Sequence, residues 1–155
     1  MKLVKAFAAM VLVTLVVLVF ITPVGPLPGF IIGGTPTPAP ATWPDTSQTH
    51  EIKLKVSGLL PRVVIIWVVE YSNELYIVGA ADGGWTAMIG AGAPVEMRLG
   101  DNTYALQATR VNSDWKDIAT AYVDKYRPDY PDIVAGFGDV EAAQGQMAIF
   151  RLDRS

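Results

Sequence analysis

The sequence predicts a mainly β domain of the α+β class, with one or two helices, that follows a single N-terminal transmembrane helix. Short runs rich in β-branched and aromatic residues recur between polar turns after residue 50, which is typical of strands joined in hairpins. One amphipathic stretch, 115–126, interrupts these runs late in the chain, and its spacing is that of a helix. The first 21 residues are almost entirely apolar, as in a membrane-spanning segment.

Composition excludes several classes of function. The chain has 155 residues, a net charge of −3, no cysteine and one histidine, His50. Residues 45–155 hold all 15 acidic residues and ten of the 12 basic ones, a net charge of −5, which argues against nucleic acid as a partner. Disulfides, a cysteine nucleophile and thiolate metal sites are excluded. A histidine zinc site or a Ser-His-Asp triad is not expected, and we expect no metal site.

Residues 1–22 are predicted to form a transmembrane anchor. The run 6–21 contains no charge, and as a helix the apolar segment nearly spans a hydrocarbon core of about 30 Å. Lys2 and Lys5 precede it, so the positive-inside rule predicts a single pass with a cytoplasmic N-terminus and an extracytoplasmic C-terminal domain. A cleaved signal peptide and a hydrophobic hairpin through 30–32, which would return the domain to the cytoplasm, stay open as alternatives.

Residues 23–49 are predicted to be a Pro/Gly-rich tether. Proline recurs there, as in Thr-Pro-Thr-Pro-Ala-Pro at 35–40, and proline removes backbone donors and favours an extended conformation. We therefore expect a semi-rigid spacer without a core of its own. Trp43 has two interpretations, at the level of lipid headgroups or packed on the edge of the domain.

The domain is predicted to span 50–155 and to begin with a hairpin. Residues 51–56 alternate between charged and apolar side chains, which indicates a half-exposed strand. Seven consecutive apolar residues, 63–69, follow. A strand of this kind must be covered on both faces, by a helix over a small barrel or by a dimer interface. A polar turn at 72–74 leads into a further strand, 75–80.

A second hairpin is predicted in the middle of the domain. The segment 81–94 indicates a loop and a short helix, and alternation then predicts a strand at 95–99. The turn Gly-Asp-Asn at 100–102 reverses the chain into another strand, 103–111. Pattern and turn chemistry agree here, as expected for a hairpin.

The C-terminal part is predicted to hold the main helix and a closing strand. Ser113 is the expected cap of a helix over 115–126, and Pro128 ends it. Residues 129–139 are expected to be irregular or to form one short turn of helix, and 147–152 a strand. Because strands and helices do not alternate along the chain, a doubly wound parallel fold is not expected.

Several motifs occur in one order along this pattern: Gly58-x-x-Pro-Arg62 leading into an apolar strand with Trp67, the strand Glu74–Val78, and a segment with Trp85, Ile89 and Val95. Together they resemble the pyridoxamine 5'-phosphate oxidase-like split β-barrel family, including its deazaflavin-dependent nitroreductase branch. In that family a segment W-x-x-N-[LIV]-x-x-x-x-x-V follows the second strand. Here Met88 stands where the family usually has Asn.

The resemblance implies a small, usually dimeric barrel that binds FMN or a deazaflavin in a groove between barrels, where the flavin supplies hydride chemistry. It implies cofactor-binding roles for six residues: Arg62 at the phosphate, Gly83 and Gly84 as close-approaching backbone, Thr86 as a hydroxyl donor, and Trp85 or Trp67 beside the ring. The family's second basic phosphate ligand, near the Gly-Gly position, is missing from this sequence. No catalytic residue is implied.

The sequence therefore predicts a membrane-tethered, homodimeric flavin- or deazaflavin-binding oxidoreductase that acts on a small electrophilic acceptor. The alternative is a non-catalytic barrel that has lost the cofactor and serves as a binding or assembly subunit. Each site residue also has a structural interpretation: Arg62 as the solvated start of a strand, Gly83-Gly84 as an ordinary turn and Trp67 as core. An acidic stretch at 129–141 lacks the ligand spacing of a calcium site and is expected to be a solvated loop.

Overall fold

The computed structural model describes residues 2–21, 23, 28–141, 143 and 145–154. Its helices are α1 (Lys2–Ile21), α2 (Gly84–Ile89), α3 (Trp115–Tyr126) and α4 (Pro131–Ala135). Its strands are β1 (Thr35–Pro36), β2 (Glu51–Val56), β3 (Arg62–Tyr71), β4 (Glu74–Ala80), β5 (Gly92–Leu99), β6 (Asn102–Arg110) and β7 (Met147–Arg154). The strands and helices predicted between 51 and 152 are present, and β1 is an addition.

Strands β2 to β7 form a closed barrel. Their order is β6-β5-β2-β3-β4-β7, and a further pairing of β7 with β6 closes the sheet. All of these pairs are antiparallel. Strand β1 pairs in parallel with the first two residues of β6. Closure pairs most strand edges within the barrel, and β1 and Gly29 pair with parts of β6 and β3 that the other barrel strands leave unpaired. The architecture is that of an α+β split barrel, as the sequence predicts at the level of fold class.

Strand β3 is covered on both faces because its side chains alternate. Val64, Ile66 and Val68 pack in the cluster inside the barrel. Trp67 and Val69 pack in a second cluster, between the outside of the barrel and α3. A continuous apolar run requires this double cover, and here a helix of the same chain provides it.

Tyr126, at the end of α3, fastens the helix to β3. Its side chain is fully buried, and its hydroxyl accepts a hydrogen bond from the N–H of Val68 at 2.9 Å. The same hydroxyl lies 2.6 Å from the carbonyl oxygen of His50 and 2.7 Å from that of Val68, and these two acceptors share its single proton. The ring stacks on Trp67 with a centroid distance of 4.1 Å. Backbone and ring contacts therefore fix the same residue.

Lys125 makes a second attachment beside it. Its ammonium donates to the carbonyl oxygens of Thr46, Thr49 and Val68 at 2.9, 2.8 and 2.7 Å. Burial lowers the pKa of Lys125, opposed by the charge of Glu70. Three charge-assisted bonds to backbone oxygens satisfy all three donors of the ammonium. The segment before β2 is thus held between α3 and β3.

The start of α3 differs from the sequence prediction. Asp114, and not Ser113, is the residue that precedes the first helical turn, and it lies in the left-handed region with φ 55°. No side chain caps the helix at this end. The expected serine cap is wrong because the chain turns one residue later, where Asp tolerates a left-handed backbone.

Residues 28–49 lie along the barrel, whereas the sequence predicts a semi-rigid spacer without a core of its own for 23–49, of which 24–27 lie outside the described residues. Gly29 exchanges two backbone hydrogen bonds with Val63, at 2.8 and 2.9 Å. Ile32 and Trp43 are 7% and 4% exposed. These buried apolar side chains attach the segment to the domain, which its proline content does not indicate. Trp43 packs edge-on against Tyr104, 5.2 Å between ring centroids, and therefore belongs to the domain.

Helix α1 exposes large apolar side chains at Val4, Phe7, Met10, Val11, Leu12, Val13, Leu15, Val16 and Val17. In the part of the chain that the structure describes, no helix is both long and apolar enough to cross a membrane. The transmembrane helix predicted for residues 1–22 is therefore not confirmed.

We predict that Tyr126→Phe lowers the free energy of unfolding by about 1–3 kcal/mol, since the buried N–H of Val68 loses its acceptor. Urea denaturation followed by tryptophan fluorescence measures the change. Tyr130→Phe is the matched control. The Tyr130 ring packs near that of Tyr126, but its hydroxyl makes no hydrogen bond to any of the described residues. Equal losses in the two variants would contradict the attachment described here.

Candidate functional site

Arg62 and Gly84 come together at one end of the barrel. Arg62 is the first residue of β3, paired with Val56 of β2, and Gly84 is the first residue of α2. The guanidinium of Arg62 lies so close to the Gly84 backbone that a Cβ there would clash with Nη1. Glycine at this position is what allows the approach, and a side chain would displace the charged group.

Beside this contact lies an open cleft of about 270 Å³. Its lining is apolar except for one charged group, and consists of Pro28, Gly29, Phe30, Leu60, Pro61, Arg62 and Met88. The cleft is thus formed by the turn before β3, by α2 and by the segment that precedes β1. Met88 contributes a thioether here, which is only a weak hydrogen-bond acceptor.

Gly83 and Thr86 use their polar groups within the turn before α2. The N–H of Gly83 donates to the carbonyl oxygen of Ala80 at 3.0 Å. The hydroxyl of Thr86 lies 2.7 Å from the oxygen of Ala80 and 2.8 Å from that of Gly83, and Thr86 is 1% exposed. Neither group is available to a ligand, because closing the turn engages both donors.

The two tryptophans lie away from the cleft. The indole of Trp85 lies flat against Gly79, where a Cβ would clash with it, and its centroid is 5.9 Å from that of Phe150. Trp67 is five residues after Arg62 on the same strand and so faces the other side of the sheet, stacked on Tyr126. Of the six predicted residues, only Arg62 lines the cleft; Gly84 contacts its guanidinium, and Gly83 is the neighbour of Gly84 in the chain.

The cleft fits the phosphate end of a cofactor better than a whole flavin. Arg62 offers a permanently charged planar fork, which lies directly against the backbone of Gly84. The volume of about 270 Å³ lies just below the usual range of small-molecule sites, about 300–1,000 Å³. Since α2 has only six residues, the main electrostatic attraction for an anion is the guanidinium.

Sequence reasoning missed two features of this region. Gly79 lies in an apolar strand, and an isolated glycine in a strand often marks a close approach of another group; here that group is Trp85. The second is Gly29 with Phe30, which form a wall of the cleft. No local signal predicts this wall, because it depends on the pairing of Gly29 with Val63 across 34 residues of sequence.

Other candidate groups are engaged elsewhere. Within the described ranges no three His, Cys, Asp or Glu side chains lie together as a metal site would require. Tyr104 is buried against Trp43. The hydroxyl of Tyr126 bonds to backbone, and burial raises the pKa of Tyr126 well above the usual value. Neither tyrosine lines the cleft.

Comparison with known proteins gives a likeness of structure only. No family model and no curated protein matches the sequence. The FAD and heme binding protein from Mycobacterium smegmatis aligns with a TM-score of 0.50 and 13% identity over 70% of this chain and 62% of that protein. A general stress protein 26 from Jannaschia gives 0.50 and 8% over 69% and 67%. A NimC/NimA family protein from Clostridium acetobutylicum gives 0.47 and 18% over 66% and 73%.

Identities of this size show the fold and leave the family open. The present chain spans about three fifths of the length of the Mycobacterium smegmatis protein. The chain is therefore a split β-barrel protein by structure, with its function to be argued from the cleft at Arg62.

Proposed function

We propose that this protein is a flavin-binding oxidoreductase in which Arg62 holds the cofactor phosphate. The observation that carries the proposal is the guanidinium of Arg62, which lies against the backbone of Gly84 and borders a cleft whose other described lining residues are uncharged. A single fixed cation in an apolar cleft suits an anionic group attached to a flat, largely apolar one.

The residues of the cleft divide the task of binding. Arg62 can donate two parallel hydrogen bonds to phosphate oxygens, and Gly84 permits the phosphate to approach the backbone. Phe30, Leu60 and Met88 would cover an adjoining ring and exclude water from it. When bound, FMN or a deazaflavin supplies hydride transfer to a small electrophilic acceptor. The structural neighbour from Mycobacterium smegmatis, named as binding FAD and heme, makes a flavin a reasonable ligand for this fold.

We further propose that the protein works as a homodimer. One cleft of about 270 Å³ encloses only part of a flavin mononucleotide, so a second copy would complete the groove. Light scattering on the purified protein, with and without FMN, tests this point. A monomer that binds FMN with full affinity would contradict it.

A second candidate function is a non-catalytic binding or assembly subunit. Two features favour it: Arg62 is the single cation at the cleft, and Met88 lines the cleft where a side-chain amide would offer hydrogen bonds. The absorption spectrum of the extracted protein, with mass analysis of any released cofactor, separates the two candidates. A colourless preparation that also fails to bind added FMN or deazaflavin would leave the subunit role.

We also propose that α1 tethers the domain to a membrane, with the N-terminus cytoplasmic and the barrel extracytoplasmic. One support is the run of exposed apolar side chains on α1, whose transfer out of water is favourable. The other is the position of Lys2 and Lys5, which precede the uncharged run 6–21.

We predict that Arg62→Ala raises the dissociation constant for FMN about tenfold or more, because a charge-assisted hydrogen bond contributes about 1.5–3 kcal/mol. Arg62→Lys should give an intermediate loss, since it keeps the charge and loses the fork. Fluorescence titration with FMN measures both. Arg127→Ala is the control, since Arg127 is largely exposed on the end of α3. Unchanged affinity in Arg62→Ala would return Arg62 to the role of a solvated strand end.

Thr86→Val should separate stability from binding. The variant loses the hydroxyl that closes the turn before α2, and we expect the free energy of unfolding to fall by about 1–3 kcal/mol. The FMN dissociation constant should change little below the unfolding transition, because the hydroxyl faces Ala80 and not the cleft. Thermal denaturation and the same titration provide the two measurements. A large loss of affinity in folded protein would restore the ligand role implied by the resemblance.

The tether is tested with the full chain. We expect it to float with liposomes in a density gradient and to resist extraction by carbonate. Because the sequence contains no cysteine, Ser72→Cys gives a unique label site in the exposed β3–β4 turn. A membrane-impermeant maleimide should label it in intact cells if the barrel is extracytoplasmic. Labelling only after lysis would place the barrel on the other side.

A further inference from the structure

The end of the barrel at the β2–β3 turn exposes four large apolar side chains. Leu59 is 102% exposed, Leu60 72%, Ile31 54% and Phe30 44%. The two segments lie side by side, since Gly29 pairs with Val63 and Phe30 and Leu60 line one cleft. We call these four residues the apolar tip. Contiguous exposed apolar residues of this kind usually mark a binding surface.

The tip also differs in charge from the rest of the domain. Residues 28–34 and 57–62 contain no acidic side chain, and Arg62 is their single charge. Residues 45–155 as a whole carry a net charge of −5. The two segments of the tip therefore bring no carboxylate of their own to an anionic surface, and burial of the tip would require little desolvation of charge.

Chain length places the tip near α1. The helix ends at Ile21 and the barrel segment resumes at Pro28. The seven Cα–Cα steps from Ile21 to Pro28 span at most about 25 Å. A membrane that takes up the exposed side chains of α1 therefore lies within reach of the tip, because Phe30 and Ile31 closely follow residue 28.

We propose that the apolar tip rests on the surface of a lipid bilayer, with Leu59 and Leu60 at the boundary between headgroups and acyl chains. This proposal rests on the membrane tether proposed above and adds the orientation of the barrel. Apolar side chains at a turn, without acidic neighbours and next to an apolar helix, match the features of interfacial anchoring. A protein groove would need a complementary partner, whereas a bilayer receives any such protrusion. The cleft at Arg62 then opens towards the membrane.

Two single-cysteine variants of the full chain test the orientation. Leu59→Cys lies in the tip, and Ser72→Cys lies beyond the other end of β3, a strand of ten residues or about 33 Å. Each is labelled with an environment-sensitive fluorophore and mixed with phosphatidylcholine–phosphatidylglycerol liposomes. We expect emission at 59 to shift to the blue and to be quenched by brominated acyl chains, and emission at 72 to remain that of a label in water.

A third variant is the control for membrane insertion that is caused by the fluorophore and not by the tip. With the fluorophore at Ile31→Cys, the double substitution Leu59→Asp and Leu60→Asp should abolish quenching by brominated lipid. Both leucines project from the fold, so circular dichroism should stay unchanged. Persistent quenching in this variant would overturn the proposal.

The outcomes separate the tip from the tether. A chain that floats with liposomes while positions 59 and 72 report the same aqueous environment keeps its tether and overturns the docking of the tip. A chain that does not float overturns both. A blue shift at 59 without liposomes, rising with protein concentration, would assign the tip to a second copy of the chain and overturn the lipid proposal. The FMN titration of the Arg62 variants, done without liposomes, tests the proposed cofactor site separately from these outcomes.

Discussion

The attachment of α3 to β3 through Tyr126 is the constraint on which the rest of the structure depends. A strand with apolar side chains on both faces cannot border solvent, and the barrel covers only one face. Tyr126 provides the other cover and also satisfies the N–H of Val68 within the sheet. Lys125 adds three bonds to backbone oxygens next to it. Helix, strand and the segment before β2 therefore form one unit.

This arrangement divides β3 into a closed part and an open end. The stretch around Trp67 is enclosed by aromatic rings of α3 and by Tyr130, so it serves stability. Arg62, at the first position of the strand, lies beyond the cover of α3 and meets α2 instead. A rigid strand with its charged residue at an open end is a suitable platform for ligand binding, because the strand fixes the backbone of Arg62 while the cleft stays accessible.

Much of this could be predicted from the sequence, because alternation and turn residues are local signals. The separation of Trp67 from Arg62 was also predictable, since five residues on a strand reverse the face. The hydrogen bonds of the Thr86 hydroxyl could not be predicted, because their acceptors depend on how the chain turns at 80–83. The packing of 28–49 against the barrel could not be predicted either. Prolines indicate an extended chain, but the pairing of Gly29 with Val63 depends on the complete barrel. Local patterns predict elements, and long-range pairing decides which surfaces remain open.

The segment from Gly29 to Ile31 connects the three parts of the proposed function. Its backbone is bonded to β3 at Val63, next to Arg62; Phe30 forms a wall of the cleft; and Ile31 is exposed beside it on the tip. The two backbone hydrogen bonds of Gly29 fix this wall to the barrel. The proposed ligand site at Arg62 and the proposed membrane contact of the tip therefore share one segment, and the Gly29–Val63 pairing joins that segment to β3.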